Sequence, residues 1–313
     1  MIAILDRRAL FGAAIAALLA GALAPIPAAH AADPVTVGSK IDTEGAILGN
    51  IIIDVLEANG IPTVNKVSLG NTKIVRGAIT AGEIDVYPEY TGNGAFFFSL
   101  DSDPLWKDAK AGYDKVKALD YDANKIVWLT PAPADNTWVI AVRKDVADAN
   151  KLTSLEDFAT WINGGGTFKI AASAEFVESP AALPAFQQAY GFKLGPDQIV
   201  TLAGGDTTTF IRAAAEQTSG VNGSLAYGTD GALAALGLVA LTDDKKVQPV
   251  YAPAPIIREA ALNDYPKIAE LLAPVFQSLD AATLQSLNAK VSVEGQDAGQ
   301  VAADYLKSKG FTK

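Results

Sequence analysis

Short apolar runs alternating with stretches of helical period constrain the fold of this chain more than any other feature. Val35-Thr36-Val37 reads as a strand. After Gly38-Ser39-Lys40, the residues Ile47, Leu48, Ile51, Ile52, Val55 and Leu56 fall on one helical face, capped by Asp42 or Thr43 and ended by Asn59-Gly60. Val64 to Leu69 predicts a second strand, Thr72 to Ala81 a second helix, and Ile84 to Tyr87 a third strand that Pro88 stops. Such alternation predicts a parallel sheet with helices packed on its faces, and ligands of open sheets sit beyond the carboxyl ends of the strands. Gly38-Ser39-Lys40 and the loop from Pro88 to Gly94 are therefore the places to look for chemistry.

The pattern restarts after Ala141. Thr153 with Glu156 predicts a capping box for a helix carrying Leu155, Phe158 and Trp161, Gly164-Gly165-Gly166 turns the chain, and Phe168 to Ala172 predicts a strand. Ile199 to Leu202, a helix from Thr207 to Thr218 and a strand from Leu225 to Tyr227 complete a second unit. The path from Gly70-Asn71-Thr72 to Tyr90-Thr91-Gly92 is loosely echoed from Gly205-Asp206-Thr207 to Tyr227-Gly228-Thr229, so each unit offers a tyrosine at one architectural point. From Val247 a proline-rich run to Pro255 reads as an extended crossing, and the helical remainder is expected to pack on the first sheet. The expectation is an α/β fold of two lobes, each a mainly parallel sheet flanked by helices: 32–138 with 247–313, and 139–246. Crossings near Val139 and Val247 then make a hinge.

Arg7 and Arg8 precede an apolar stretch from Ala9 to Ala24, followed by Pro25, Pro27 and the run Ala28-Ala29-His30-Ala31-Ala32. This is the layout of a secretory signal peptide, 1–31, cut after Ala31, and the apolar run is short of the roughly twenty residues that span a bilayer. The paired arginines leave the Sec and twin-arginine routes both open. Export to the periplasm is the expected localisation. The one histidine, His30, falls in the removed segment and the chain has no cysteine, which excludes Ser-His-Asp and Cys-His mechanisms, thiolate or imidazole zinc sites and disulfides. With 25 basic against 35 acidic residues and a formal charge of -10, there is no basic face for nucleic acid. No cofactor or metal is expected.

Carboxylates remain the ordinary route to catalysis. Glu44, Asp85, Glu89, Asp135, Glu175, Glu178, Asp206 and Asp230 all sit at predicted strand or helix ends, where caps and turns also place acidic residues for structural reasons. Aromatic residues at loop ends say more. Tyr87 and Tyr90 flank Pro88-Glu89, Trp138 follows Asp135-Asn136-Thr137, and Tyr227 ends a strand of the second unit. Converging in one cleft, such rings make an electron-rich box for a quaternary ammonium, and Lys40 could answer a carboxylate. Phe96-Phe97-Phe98 reads as apolar core under a loop, and Trp106, Trp128 and Trp161 as core.

Gly38-Ser39-Lys40, the stretch Glu83-Ile84-Asp85-Val86-Tyr87-Pro88-Glu89-Tyr90-Thr91-Gly92-Asn93-Gly94, Asp135-Asn136-Thr137-Trp138 and Ala226-Tyr227-Gly228-Thr229-Asp230-Gly231 closely resemble the substrate-binding proteins of ABC importers for quaternary amines, and the similarity runs from Val35 to Phe311. The resemblance implies a two-lobed periplasmic binding fold of type II, a monomer, a ligand such as glycine betaine or choline, and a permease in the inner membrane as partner. It implies that Lys40 and Asn93 face the ligand carboxylate and that Tyr90, Trp138 and Tyr227 wall the ammonium, with Thr91, Asn136, Glu175, Thr229 and Asp230 completing the ligand-binding set. Complete cages in the family often carry tyrosine at the Trp138 position and threonine at the Asn93 position. They also commonly add an aromatic from the loop that here reads Leu202 to Asp206 and an arginine that has no counterpart near Glu175 to Ser179. The implied binding is therefore weak. Two alternatives stay open: the same fold with another small amine or amino-acid-like ligand, and a carboxylate-based hydrolase of the envelope, which needs two carboxylates roughly 5 to 9.5 Å apart across a cleft.

Overall fold

A computed structural model describes residues 33–203 and 207–313, so the expected signal peptide lies outside the described residues, as do positions 204–206 of the echo. Among the described residues the strands are β1 (Val35–Lys40), β2 (Thr63–Gly70), β3 (Val86–Tyr90), β4 (Ile126–Trp128), β5 (Trp138–Arg143), β6 (Ile170–Ala172), β7 (Ile199–Thr201), β8 (Gly223–Tyr227), β9 (Leu238–Ala240) and β10 (Pro253–Arg258). They form two five-stranded sheets on one plan, β2-β1-β3-β10-β4 and β7-β6-β8-β5-β9. In the first, β1 is parallel to β2 and β3 while β10 opposes β3 and β4. In the second, β6 is parallel to β7 and β8 while β5 opposes β8 and β9. Each sheet is thus mixed, and the opposed strand is in each case the first one laid down after the chain arrives from the other sheet.

β3 runs through Pro88 rather than stopping there, and the proline-rich run supplies β10 rather than remaining a crossing. Pro88 faces Pro255 directly. The carbonyls of Pro253 and Pro255 accept from Ala132 N at 2.8 Å and Leu129 N at 2.9 Å, so the backbone of those prolines is aimed at β4's side of β10. The prolines therefore occupy positions that owe no bond to the strand opposite, which is where a sheet tolerates them.

The helix Thr43–Ala58 starts where Asp42 accepts from Gly45 N at 2.8 Å, one of the strongest N-cap arrangements. It buries Ile47, Leu48, Ile51 and Ile52 completely against the first sheet and the C-terminal helices Ile268–Gln277, Ala281–Ser292 and Ala298–Lys309. Each of those side chains contributes about 1.5 to 3 kcal/mol of apolar burial. The sheet's other face packs Val75, Ile79, Tyr87, Trp106 and Trp128, and Arg76 grips the buried Asp120 through both guanidinium nitrogens. A separate core around Ile140, Phe158, Phe176, Phe186 and Phe210 serves the second sheet.

Smaller corrections follow from packing. The capping box is Ser154 with Asp157, one position beyond the expected pair, and the helix from Thr207 ends at Ala215. Phe96 is 61% exposed rather than core, while the neighbouring Phe97 lies under the Arg76 guanidinium, 4.4 Å from its ring centre. Trp161 is only half-buried and lies against Gly166, where a Cβ would stand 2.5 Å from the indole.

The two passages between the sheets, 129–137 and 241–252, are tied to each other. Asn136 N donates to Tyr251 O at 3.0 Å, Tyr251 N to Asp135 Oδ1 at 2.8 Å, and Thr137 Oγ1 to Pro249 O at 3.0 Å.

Candidate functional site

Tyr90 ends β3 and Tyr227 ends β8, the middle strands of the two sheets. The carboxyl ends of β1, β3 and β8, the start of β5 and the passage 129–137 carry nearly all the predicted site residues. Trp138 stands directly across the ladder from Tyr227, with its side chain in hydrogen-bonding reach of the tyrosine hydroxyl. Phe176 meets the Trp138 ring edge-on at 5.9 Å. Asp230 turns back to accept from Tyr227 N at 2.7 Å. Burial raises the Tyr227 hydroxyl above its ordinary range, and the charges of Asp230, Glu175 and Asp42 push the same way. The aromatic corner therefore sits in a negative field, although the Glu175 side chain itself is exposed.

On the first sheet, a buried carboxylate organises the expected anion-binding residues. Glu89 is fully buried. Its Oε1 accepts from Lys40 Nζ, from Asn93 Nδ2 at 2.7 Å and from Tyr90 N at 2.7 Å, and its Oε2 from Tyr87 OH at 2.8 Å. Lys40 is 6% exposed, and its ammonium also lies 4.5 Å from the Tyr90 ring centre. The two residues expected to face a ligand carboxylate thus already face one supplied by the protein.

A second buried carboxylate, Glu44 in the first turn of the helix Thr43–Ala58, links the two sheets. Tyr90 OH donates to its Oε1 at 2.8 Å and Asn136 Nδ2 to the same atom at 3.0 Å, Asn288 Nδ2 donates to Oε2 at 2.7 Å, and the Thr229 hydroxyl is within bonding reach. Burial pushes the Glu44 carboxyl above its usual range, while those four side chains pull it down. The same burial, with the charge of Glu44, drives the Tyr90 hydroxyl well up. Thr91 is drawn the other way, with Oγ1 on Val250 O at 3.0 Å and accepting from Ala252 N at 3.1 Å. It fastens β3 to the passage 241–252 and is buried.

Tyr90, Asn136, Trp138, Tyr227, Thr229 and Asp230 are therefore brought together, with Lys40 and Asn93 behind Tyr90. Sequence reasoning singled out neither Asn288 nor Tyr251, whose ring lies 2.8 Å from where a Gly92 Cβ would be. The glycine in Tyr90-Thr91-Gly92 was the available sign of that close approach.

Residues 33–308 match the family model for the substrate-binding domain of ABC-type glycine betaine transport systems. The glycine betaine-binding protein YehZ of Escherichia coli K12 is 66% identical over 284 residues, 91% of this chain and 93% of that protein. A glycine-betaine-binding protein of Pseudomonas aeruginosa is 32% identical over 88% of each chain. The solved structure of apo YehZ from Escherichia coli superposes with a TM-score of 0.85, covering 90% of this chain and 100% of that one.

Proposed function

The chain belongs to the substrate-binding domains of ABC-type glycine betaine transport systems, and on that premise we propose that it is an exported receptor for a small quaternary amine. In this reading two bodies, 32–138 with 247–313 and 139–246, close about the paired passages over the ligand and present it to a permease in the inner membrane. Glycine betaine is the ligand its relatives' names support. Tyr90 from one sheet and the Trp138–Tyr227 pair from the other would wall the trimethylammonium, each face worth roughly 0.5 to 2 kcal/mol. The observation that carries the reading is the convergence at Glu44, where Tyr90, Asn136 and Thr229 meet, two residues from Trp138 and Tyr227 respectively. The negative field of Asp42, Glu175 and Asp230 favours a cation there.

Recognition of the ligand's carboxylate is weaker by the same argument. Lys40 and Asn93 spend donors on Glu89, so a zwitterion must share them, and low affinity for glycine betaine follows. This pairing favours a second reading, in which a cation without a carboxylate, such as choline, binds as well or better. Membership in a family of binding domains leaves the hydrolase alternative without support, and Glu44 and Glu89 are engaged by donors on both oxygens. Mass spectrometry of ligand retained through purification, followed by calorimetry with glycine betaine, choline and amino acids, tests the proposal. Heat from amino acids alone would overturn it.

A further inference from the structure

The loop at 228–231 is held from outside its own sheet. The helix Ala281–Ser292 turns Leu284 and Leu287 into the core of the first sheet. Its polar side meets the loop, with Gln285 Nε2 donating to Gly228 O and Asn288 Nδ2 to Thr229 O, each at 2.8 Å. Gly231 comes so near that a Cβ would stand 2.0 Å from Ala289 N, although its backbone is in the ordinary right-handed region at φ -65, ψ -30. Only the lack of a side chain lets helix and loop meet. The other proton of Asn288 Nδ2 goes to Glu44 Oε2. One buried carboxylate therefore joins β3, the passage 129–137, the helix Ala281–Ser292 and the loop behind Tyr227.

Asn288 is 6% exposed, and its Oδ1 has no partner among the described residues. A buried acceptor left unsatisfied costs about 1 to 3 kcal/mol. Turning the amide over would set its oxygen against the Glu44 carboxylate and the Thr229 carbonyl, which is worse. The side chain is thus held for its two donor bonds at the expense of its acceptor.

We propose that Glu44 and Asn288 form a latch, positioning residues that tie the orientation of Tyr90 to the docking of the loop 228–231, so that shaping the ligand wall and closing the two sheets are one coupled event. The proposal rests on the function above only in giving Tyr90 a ligand to face; docking of the loop does not depend on which amine binds. Glu44→Gln keeps the size of the side chain but must present an NH2 group to neighbours that are themselves donors. Small-angle scattering of Glu44→Gln and of Asn288→Ala, each with and without saturating glycine betaine, should show a larger radius of gyration than the unsubstituted protein in the same buffer. Calorimetry should show glycine betaine weakened about five- to tenfold by either change, the scale of one lost hydrogen bond. In a Tyr90→Phe background, which lacks the hydroxyl that Glu44 holds, adding Glu44→Gln should cost less than it does beside Tyr90, because only the bonds from Asn136, Thr229 and Asn288 remain to be disturbed. If Glu44→Gln does not fold, Asn288→Ala carries the scattering and affinity comparisons. Unchanged scattering in both variants overturns the latch, as does a Glu44→Gln penalty of equal size in both Tyr90 backgrounds. Should the unsubstituted protein bind no glycine betaine, the ligand assignment fails, and the scattering comparison alone decides the latch.

Discussion

The ammonium of Lys40 lies 4.5 Å from the centre of the Tyr90 ring while bonded to the buried carboxylate of Glu89. Removing it strands a charge: Lys40→Met should destabilise the protein by about 3 to 5 kcal/mol in urea unfolding. Lys40→Met with Glu89→Gln should recover most of that loss. If Lys40 also meets the ligand's carboxylate, the double variant binds glycine betaine more weakly by about 1.5 to 3 kcal/mol and choline nearly as before. Parallel losses for the two ligands would confine Lys40 to the fold.

Tyr227→Ala should weaken a quaternary amine by about 1 to 2 kcal/mol, roughly five- to thirtyfold, with Tyr227→Phe costing much less because the ring remains. Calorimetry on the three proteins separates face from hydroxyl. Equal losses for Ala and Phe would assign the binding to the hydroxyl that Trp138 approaches.

Asp135, which accepts from Tyr251 N where the two passages join, has its carboxyl raised to about 6 by burial, with the backbone bond pulling down and Asp243 adding to the rise. A raised folded-state value means that the folded protein holds the proton more tightly. The stability this contributes is full below about pH 4 and is lost as pH climbs through about 6, on the order of 2 to 3 kcal/mol. Asp135→Asn should flatten the unfolding free energy between pH 4 and 7. A profile as steep as that of the unsubstituted protein would place the proton elsewhere.

Two glycines should respond oppositely to alanine. Gly77 lies inside the helix Thr72–Ala81 with nothing within 4 Å of an added Cβ, so Gly77→Ala should stabilise by about 0.5 to 1 kcal/mol. Gly231→Ala drives a methyl into the backbone at Ala289 and should lower the melting temperature. Thermal unfolding of both distinguishes steric fit from backbone entropy.

Local signals made much of this legible. Asp42 does cap the helix after it, and the strand–helix alternation foretold two sheets with tyrosines at matching strand ends. Pairings between distant segments were hidden. Pro88 breaks a strand by its own chemistry, and only Pro255 opposite shows why β3 continues. Glu44 reads from sequence as an acidic residue suiting a helix N-terminus, because the residues that bury it, Tyr90, Asn136, Thr229 and Asn288, lie far along the chain. Lys40 and Asn93 stand out in the sequence as candidates for meeting an anion, but nothing local reveals that Glu89 supplies one. Asn288 lies on the same helix as the core residues Leu284 and Leu287 and carries no signal of its own.

The facing prolines also determine how the returning chain can be threaded. Slipping β10 along β3 by a single residue would point ring nitrogens at positions where ladder amides are required and exchange the β10 side chains between two differently shaped buried faces. Neighbouring alignments are thus closed off, and the misfolded forms that shifted strands would seed are excluded. With β10 locked in this way, the span from β9 to β10 has a set length, and its bonds to the passage 129–137 fall at a defined place in the molecule.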